Sequence, residues 1–363
     1  MPQRRLRIAQ VAPLSVTVPP RAYGGTERVI HALTEELVAR GHDVTLFAAG
    51  GSITSARLVV GSPRPLWEMG AAERTTALGF LQFHDVARRS WGFDVVHSHI
   101  GFLPWVAGSA LKAPLLTTLH GRLDLPGYRE LFAANTSQPL VSISAAQRRP
   151  LALLDLNWMA TIHHGLADAE NYRLGAGAGG YLMFLGRLSP EKGPHLAIRA
   201  AIAAEVPIKL AARLDEANRA YFDRHIVPYL GHPLVEWVGE VGESRKIELL
   251  RDAVALVAPM EWDEPFGLVF IEALACGTPV ITRARGSALE IIRHGEHGFF
   301  AETQEEIVLA CQSARDLNRS RCRAHVLQHF TVERMVDAYE AVYHVVAEAH
   351  GPAGLELMAG ARA

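Results

Sequence analysis

Apolar runs of strand length alternate with segments of helical period along most of the chain, which is the pattern of βαβ units around parallel sheets. Arg7–Leu14 reads as a buried strand, and Pro13, Pro19 and Pro20 then hold the chain in a loop. Thr26–Arg40 carries Val29, Ile30, Leu33 and Leu37 at helical spacing and ends at Gly41, so it predicts a helix. Strands follow at Val44–Ala48, Val95–His99, Leu115–Leu119 and Leu140–Ile143. The run from Gly165 to Gly180 includes Gly-Ala-Gly-Ala-Gly-Gly at 175–180, a composition suited to a flexible linker. Beyond it the alternation restarts: strand Tyr181–Leu185, helix Pro194–Ala204, strands Ile208–Ala212 and Val235–Val238, helix Ser244–Arg251, strand Val254–Ala258, helix Leu268–Cys276 and strand Val280–Thr282.

These elements predict an α/β protein of two doubly wound domains. The expected division is residues 1–168, a linker over 169–180, a second domain over 181–330, a helix over 331–350 and a frayed tail over 351–363. Met335, Tyr339, Val342 and Val346 form an apolar stripe on that last helix, which suits packing back on the first domain.

Composition narrows the class. Hydrophobic residues make up 49% of the 363, enough for two cores, while 36 basic against 38 acidic residues give a net charge of -2 and imply no nucleic-acid partner. Residues 1–168 hold 16 basic and 12 acidic groups, a small excess that suits an acidic acceptor or a membrane surface without indicating either. Cys276, Cys311 and Cys322 are odd in number and form no close pair, which reads as reduced thiols in a cytoplasmic protein. No stretch approaches the roughly 18 apolar residues of a membrane span.

The chemistry concentrates where strands end. Between Met260 and Thr282 a strand leads into a loop with Glu261, Asp263 and Glu264, and Pro265 and Gly267 shape the entry to a helix holding Glu272. Ligands of open α/β sheets bind at this edge, and the helix start offers unpaired N–H groups to an anion. Glu264 and Glu272 would repel a phosphate but can accept hydrogen bonds from hydroxyls of a sugar and a ribose, or they are a solvated acid and a helix acid held by a neighbour. Gly186-Arg-Leu-Ser-Pro-Glu-Lys-Gly193 is a second strand-end turn, whose Arg187 and Lys192 can clamp a diphosphate. Tyr23-Gly-Gly-Thr-Glu27 opens the first helix with glycines that permit anion contact or simply a tight turn. His97 and His99 share a strand face without an acid or cysteine cluster, so no metal is expected. His120 ends the strand Leu115–Leu119 of the first domain, at the carboxyl edge where a cleft would open, or it has a packing or capping role there.

Taken together, these segments resemble the retaining glycosyltransferases of the two-Rossmann GT-B fold, glycosyltransferase family 4. The resemblance runs from Tyr23–Glu27 through Thr118-Leu-His-Gly121 and Gly186–Gly193 to the pair Glu264 and Glu272, and on to Gly286-Ser-Ala-Leu-Glu-Ile-Ile and Gly295-Glu-His-Gly-Phe. It implies that Arg187 and Lys192 neutralise a donor diphosphate without a metal or cofactor, that Glu264 holds sugar hydroxyls and that Glu272 holds the ribose. It further implies that Gly24 and Gly25 lie near the phosphate, that Val238 and Gly239 border the base, and that Phe266, Gly267 and Leu268 offer backbone groups. His120 would sit by the reacting sugar, and closure about 175–180 would exclude water.

The implied reaction moves a hexose from a UDP- or GDP-sugar to a hydroxyl acceptor with retention of configuration. The acceptor would be read by Arg57–Trp91 and Gly101–Ala107. His163-His164-Gly165 stands where many relatives have an Asn before the Gly, and Arg213 where Lys is often seen. Another GT-B enzyme, such as a phosphorylase or an inverting transferase, and a non-enzymatic nucleotide-sugar-binding protein remain the alternatives.

Overall fold

The computed structural model describes residues 4–69, 72–106 and 108–350. The chain divides into two compact α/β units. Of the described residues, the first unit holds 4–20, those within Gly24–Gly165 and 332–350, and the second holds Arg21–Tyr23 and Leu166–Thr331.

In the first unit, seven strands form one parallel sheet. They are β1 (Arg7–Val11), β2 (Asp43–Ala49), β3 (Arg57–Ser62), β4 (Val95–Ser98), β5 (Leu115–Thr118), β6 (Leu140–Ser142) and β7 (Trp158–Thr161), in the order β3-β2-β1-β4-β5-β6-β7. The order reverses at β1, which pairs with β2 on one side and β4 on the other, as in a doubly wound sheet. Val11, Phe47, Val96, Phe132 and Leu140 belong to the core on one side. The helix Val332–Ala349 belongs to this unit, and its Met335, Tyr339, Val342 and Val346 are all buried. Its hold is polar as well: Glu340 meets His42 Nε2 at 2.7 Å and Arg40 Nη1 at 2.6 Å.

The second unit repeats the plan with six parallel strands, β8 (Leu182–Arg187), β9 (Ile208–Arg213), β10 (Val235–Gly239), β11 (Ala255–Val257), β12 (Val280–Thr282) and β13 (Gly298–Phe300), in the order β10-β9-β8-β11-β12-β13. Phe184, Ile198, Leu210, Val257, Ile281 and Ile307 pack in its core.

Three strands escaped the hydrophobic pattern, β3, β7 and β13. All are edge strands with partly exposed side chains, so none carries the continuous apolar run of a central parallel strand. The expected linker at 169–180 is a correction. Gly175 N–H donates to Cys276 O at 2.9 Å, Gly177 N–H to Arg251 O at 3.1 Å and Gly179 N–H to Asp252 O at 2.9 Å, and Arg319 Nε donates to Gly175 O at 2.7 Å. Small residues here let the backbone lie close against neighbouring carbonyls, and the run belongs to the second unit. Among the described residues no helix is long and apolar enough to cross a membrane. The expected frayed tail at 351–363 and Ala107 lie outside the described residues.

Candidate active site

The turn Gly186–Gly193 and the loop before the helix Leu268–Ala275 leave neighbouring central strands, β8 and β11, which are paired in parallel. Backbone contacts then hold turn and loop together. Glu261 N–H donates to Glu191 O at 2.9 Å, and Gly193, with φ of 69°, lies so close to Pro259 that an added Cβ would stand 2.4 Å from the Pro259 carbonyl oxygen. Further along, Ser287 N–H donates to Glu264 O at 3.0 Å, Ser287 Oγ to Phe266 O at 2.6 Å, and Gly286 N–H to Asp263 Oδ1 at 3.0 Å. Gly267, with φ of 78°, caps the helix, and a side chain there would strike the Phe270 ring.

This scaffold brings Lys192 and Glu264 together. Lys192 Nζ forms an ion pair with Glu264 Oε2 and lies 4.8 Å from the centre of the Trp262 ring. Trp262 Nε1 donates to the same Oε2 at 2.9 Å. Both partners converge on one oxygen, so Glu264 Oε1 is left to take a hydroxyl donor, and an ammonium with three donors retains capacity for an anion.

Glu272 occupies the first turns of the helix Leu268–Ala275 and is buried. Its Oε1 accepts from Lys246 Nζ at 2.6 Å; Lys246, also buried, pairs with Glu243 at 2.9 Å, and Tyr172 Oη donates to Glu243 Oε1 at 2.5 Å. Each acid of the predicted pair thus has its own lysine. Lys192, expected at the diphosphate, and Glu264, expected at the sugar hydroxyls, also touch each other directly.

Arg187 stands at the other end of the turn. Its guanidinium meets Glu191 at 3.1 Å and Asp215 at 3.8 Å, and its buried Nε has no partner among the described residues. Arg213, in the place where Lys was anticipated, pairs with Asp215 at 2.8 Å. Val238 and Gly239 end β10, and the adjoining Glu240 accepts from Tyr23 N–H at 3.0 Å. Phe266 is buried and Leu268 opens the helix, so the backbone of 266–268 forms its N-terminal rim.

Gly24, Gly25 and His120 belong to the first unit. Gly24 and Gly25 start the helix Gly25–Ala39, whose Glu27 is buried and pushed up to about 7 by desolvation. His120 follows β5, and burial lowers its imidazole to about 4.

The pattern missed Lys246, Trp262, Glu243 and Tyr172. Lys246 had a readable signal, since it shares the inward helix face with Leu249 and Leu250, an uncommon place for an unpaired lysine. Trp262 and Tyr172 carried none.

Comparison with known proteins identifies the family and the fold. The family pattern described as Glycosyltransferase Family 4 matches residues 23–170, and that described as Glycosyl transferases group 1 matches residues 176–323. Among curated relatives, the D-inositol 3-phosphate glycosyltransferase of Thermomonospora curvata is 26% identical over 92% of this chain and 96% of its own. The glycogen synthase of Mycobacterium tuberculosis (strain CDC 1551 / Oshkosh) is 26% identical over 77% and 79%. Among solved structures, AviGT4, a glycosyltransferase involved in avilamycin A biosynthesis, is 25% identical with a TM-score of 0.70, covering 95% of this chain and 98% of its own. Its two parallel-sheet units have the GT-B fold, and the chain is a glycosyltransferase of group 1, belonging to glycosyltransferase family 4.

Proposed function

We propose that the protein transfers a hexose from a UDP- or GDP-hexose to a hydroxyl acceptor with retention of anomeric configuration, in the cytoplasm and without a metal. The observation that carries this reading is the cluster of Lys192, Glu264 and Trp262 at the carboxyl edge of the second sheet, with Glu272 on the helix that follows and Lys246 meeting it from the helix Glu243–Asp252. Arg187 and Lys192 supply positive charge for the donor diphosphate, a task a divalent ion performs in other transferases. Glu264 accepts from hydroxyls of the transferred sugar through Oε1, and Glu272 accepts from the ribose. The N–H groups of 266–268 face sugar or phosphate oxygens at the positive end of the helix. Gly24, Gly25, Val238, Gly239 and His120 keep the donor-side roles that the family resemblance implies.

In this reaction the bond from the anomeric carbon to the donor phosphate oxygen breaks as a bond to the acceptor oxygen forms on the same face. The acceptor's proton passes to the departing phosphate, so no side-chain base is required. The group 1 membership supports this reading over that of a phosphorylase.

A thermal-shift screen of UDP-, GDP- and ADP-hexoses tests it, because a ligand that binds only the folded state raises the melting temperature; at about 100 times Kd the gain is roughly 2.7 kcal/mol. One UDP- or GDP-hexose should stabilise the protein in the presence of EDTA, and proton NMR of the product should show the donor's anomeric configuration. Stabilisation that appears only with a divalent metal, or an inverted product, would contradict the reading.

A further inference from the structure

One continuous hydrogen-bond chain crosses the interior of the first unit and ends at His120. Tyr339 Oη lies 3.1 Å from Thr118 Oγ1, which lies 2.7 Å from His97 Nε2; His97 Nδ1 lies 2.7 Å from Tyr343 Oη. Gln10 Nε2 donates to Tyr343 Oη at 2.9 Å, and Gln10 Oε1 lies 2.8 Å from His99 Nε2. His99 Nδ1 then lies 2.9 Å from His120 Nε2. Gln10, His97, His99, Thr118, Tyr339 and Tyr343 are all buried. The terminal atom, His120 Nδ1, is buried and has no partner among the described residues, while the ring stacks on His164 with centres 5.2 Å apart.

Proton counting along this chain leaves one degree of freedom. Burial holds the three imidazoles neutral, so each ring carries one proton and one bare nitrogen. With the Gln10 carbonyl toward His99, His99 Nε2 bears the proton and Nδ1 is bare. His120 Nε2 must then supply the proton between the two rings, and His120 Nδ1 is bare. On the other side, the amide donates to Tyr343, Tyr343 donates to His97 Nδ1, and His97 Nε2 donates to Thr118. Turning the one amide by half a turn satisfies the same contacts with every proton reversed, and His120 Nδ1 becomes a donor.

We propose that Gln10, acting through His99, is a positioning residue that presents His120 Nδ1 as a hydrogen-bond acceptor for a hydroxyl of the sugar substrate. The hydroxyl rests on the function proposed above; the tautomer does not. A ring fixed in this state rewards a substrate that brings a donor to Nδ1 and opposes one that brings an acceptor.

The test uses the 363-residue chain with histidine labelled in nitrogen-15 and long-range proton–nitrogen correlation, with the His120 signals identified by their loss in His120→Asn. Wild-type His120 should show a non-protonated Nδ1 and a protonated Nε2. Gln10→Met should give a mixture of His120 tautomers and lower kcat/KM for the sugar donor by about three- to tenfold. Tyr343→Phe keeps the ring packing but releases the amide, and it should mix the tautomers too, which keeps the idea testable if Gln10→Met fails to fold. A proton on Nδ1 in the wild type, or a single unchanged tautomer in the folded variants, overturns the proposal. Because these spectra need no substrate, they stand apart from whether any nucleotide sugar binds.

Discussion

At the scale of single residues, the site is two acid–lysine pairs with different surroundings. Lys192 is half-buried and pairs with a buried Glu264 that also holds Trp262, whereas Glu272 and Lys246 are both buried. Their responses to truncation should therefore differ. Lys192→Ala leaves Glu264 its contact with Trp262, so transfer should be lost with little change in melting temperature. Glu272→Ala leaves Lys246 buried with only Glu243, and losing one member of a buried pair costs about 3–5 kcal/mol, less what Glu243 still offsets. Glu272→Gln, which keeps a hydrogen bond to Lys246, should separate the two effects: stability recovers and transfer does not. Turnover and thermal denaturation of the three variants check this. Glu264, Glu272, Arg187 and Lys192 stand out in the sequence as candidates from charge and spacing, and their expected roles come from the family resemblance. Lys246 was passed over although it shares the inward helix face with Leu249 and Leu250, because Glu272, its buried partner, is brought to it only by the fold.

At the scale of elements, the site depends on how closely a turn and a loop approach. Gly193 bears on Pro259 with no room for a Cβ, in a backbone conformation that other residues adopt at a cost. Gly193→Ala should lower stability by roughly 1–3 kcal/mol and weaken donor binding together, since the turn carrying Lys192 would be pushed off the loop carrying Glu264. Parallel urea denaturation and nucleotide-sugar titration would reveal it; unchanged binding in a destabilised protein would count against this coupling. Central strands were readable because they are buried on both faces and so run continuously apolar. Edge strands β3, β7 and β13 were not. The Gly-rich run at 175–180 misled for a related reason: composition reports what a backbone can do, and here carbonyls of Arg251, Asp252 and Cys276 decide what it does.

At the scale of the whole molecule, buried histidines should shape the response to acid. His97, His99, His120 and His164 have folded values below their ordinary one, His120 about 4, each through desolvation. Between about pH 4 and 6.5 the unfolded chain binds more protons at these sites. Stability is therefore full above about pH 6.5 and falls as pH drops through that window, by about 1.4 kcal/mol per pH unit for each proton of difference. Glu27, raised to about 7, acts in the opposite sense, losing stability as pH rises from its unfolded value, and offsets part of the change. Urea midpoints measured at about pH 5 and pH 7 should differ in favour of pH 7; a flat profile would contradict burial of neutral rings.

The central claim is that Lys192, Glu264 and Glu272 hold a nucleotide sugar for transfer. It is tested most directly by measuring nucleoside diphosphate release, in EDTA, from the hexose donor that stabilises the protein, using wild type, Lys192→Ala and Glu272→Gln side by side. The account predicts release by the wild type and loss of at least about a hundredfold in both folded variants. Release by either variant at the wild-type rate would contradict it.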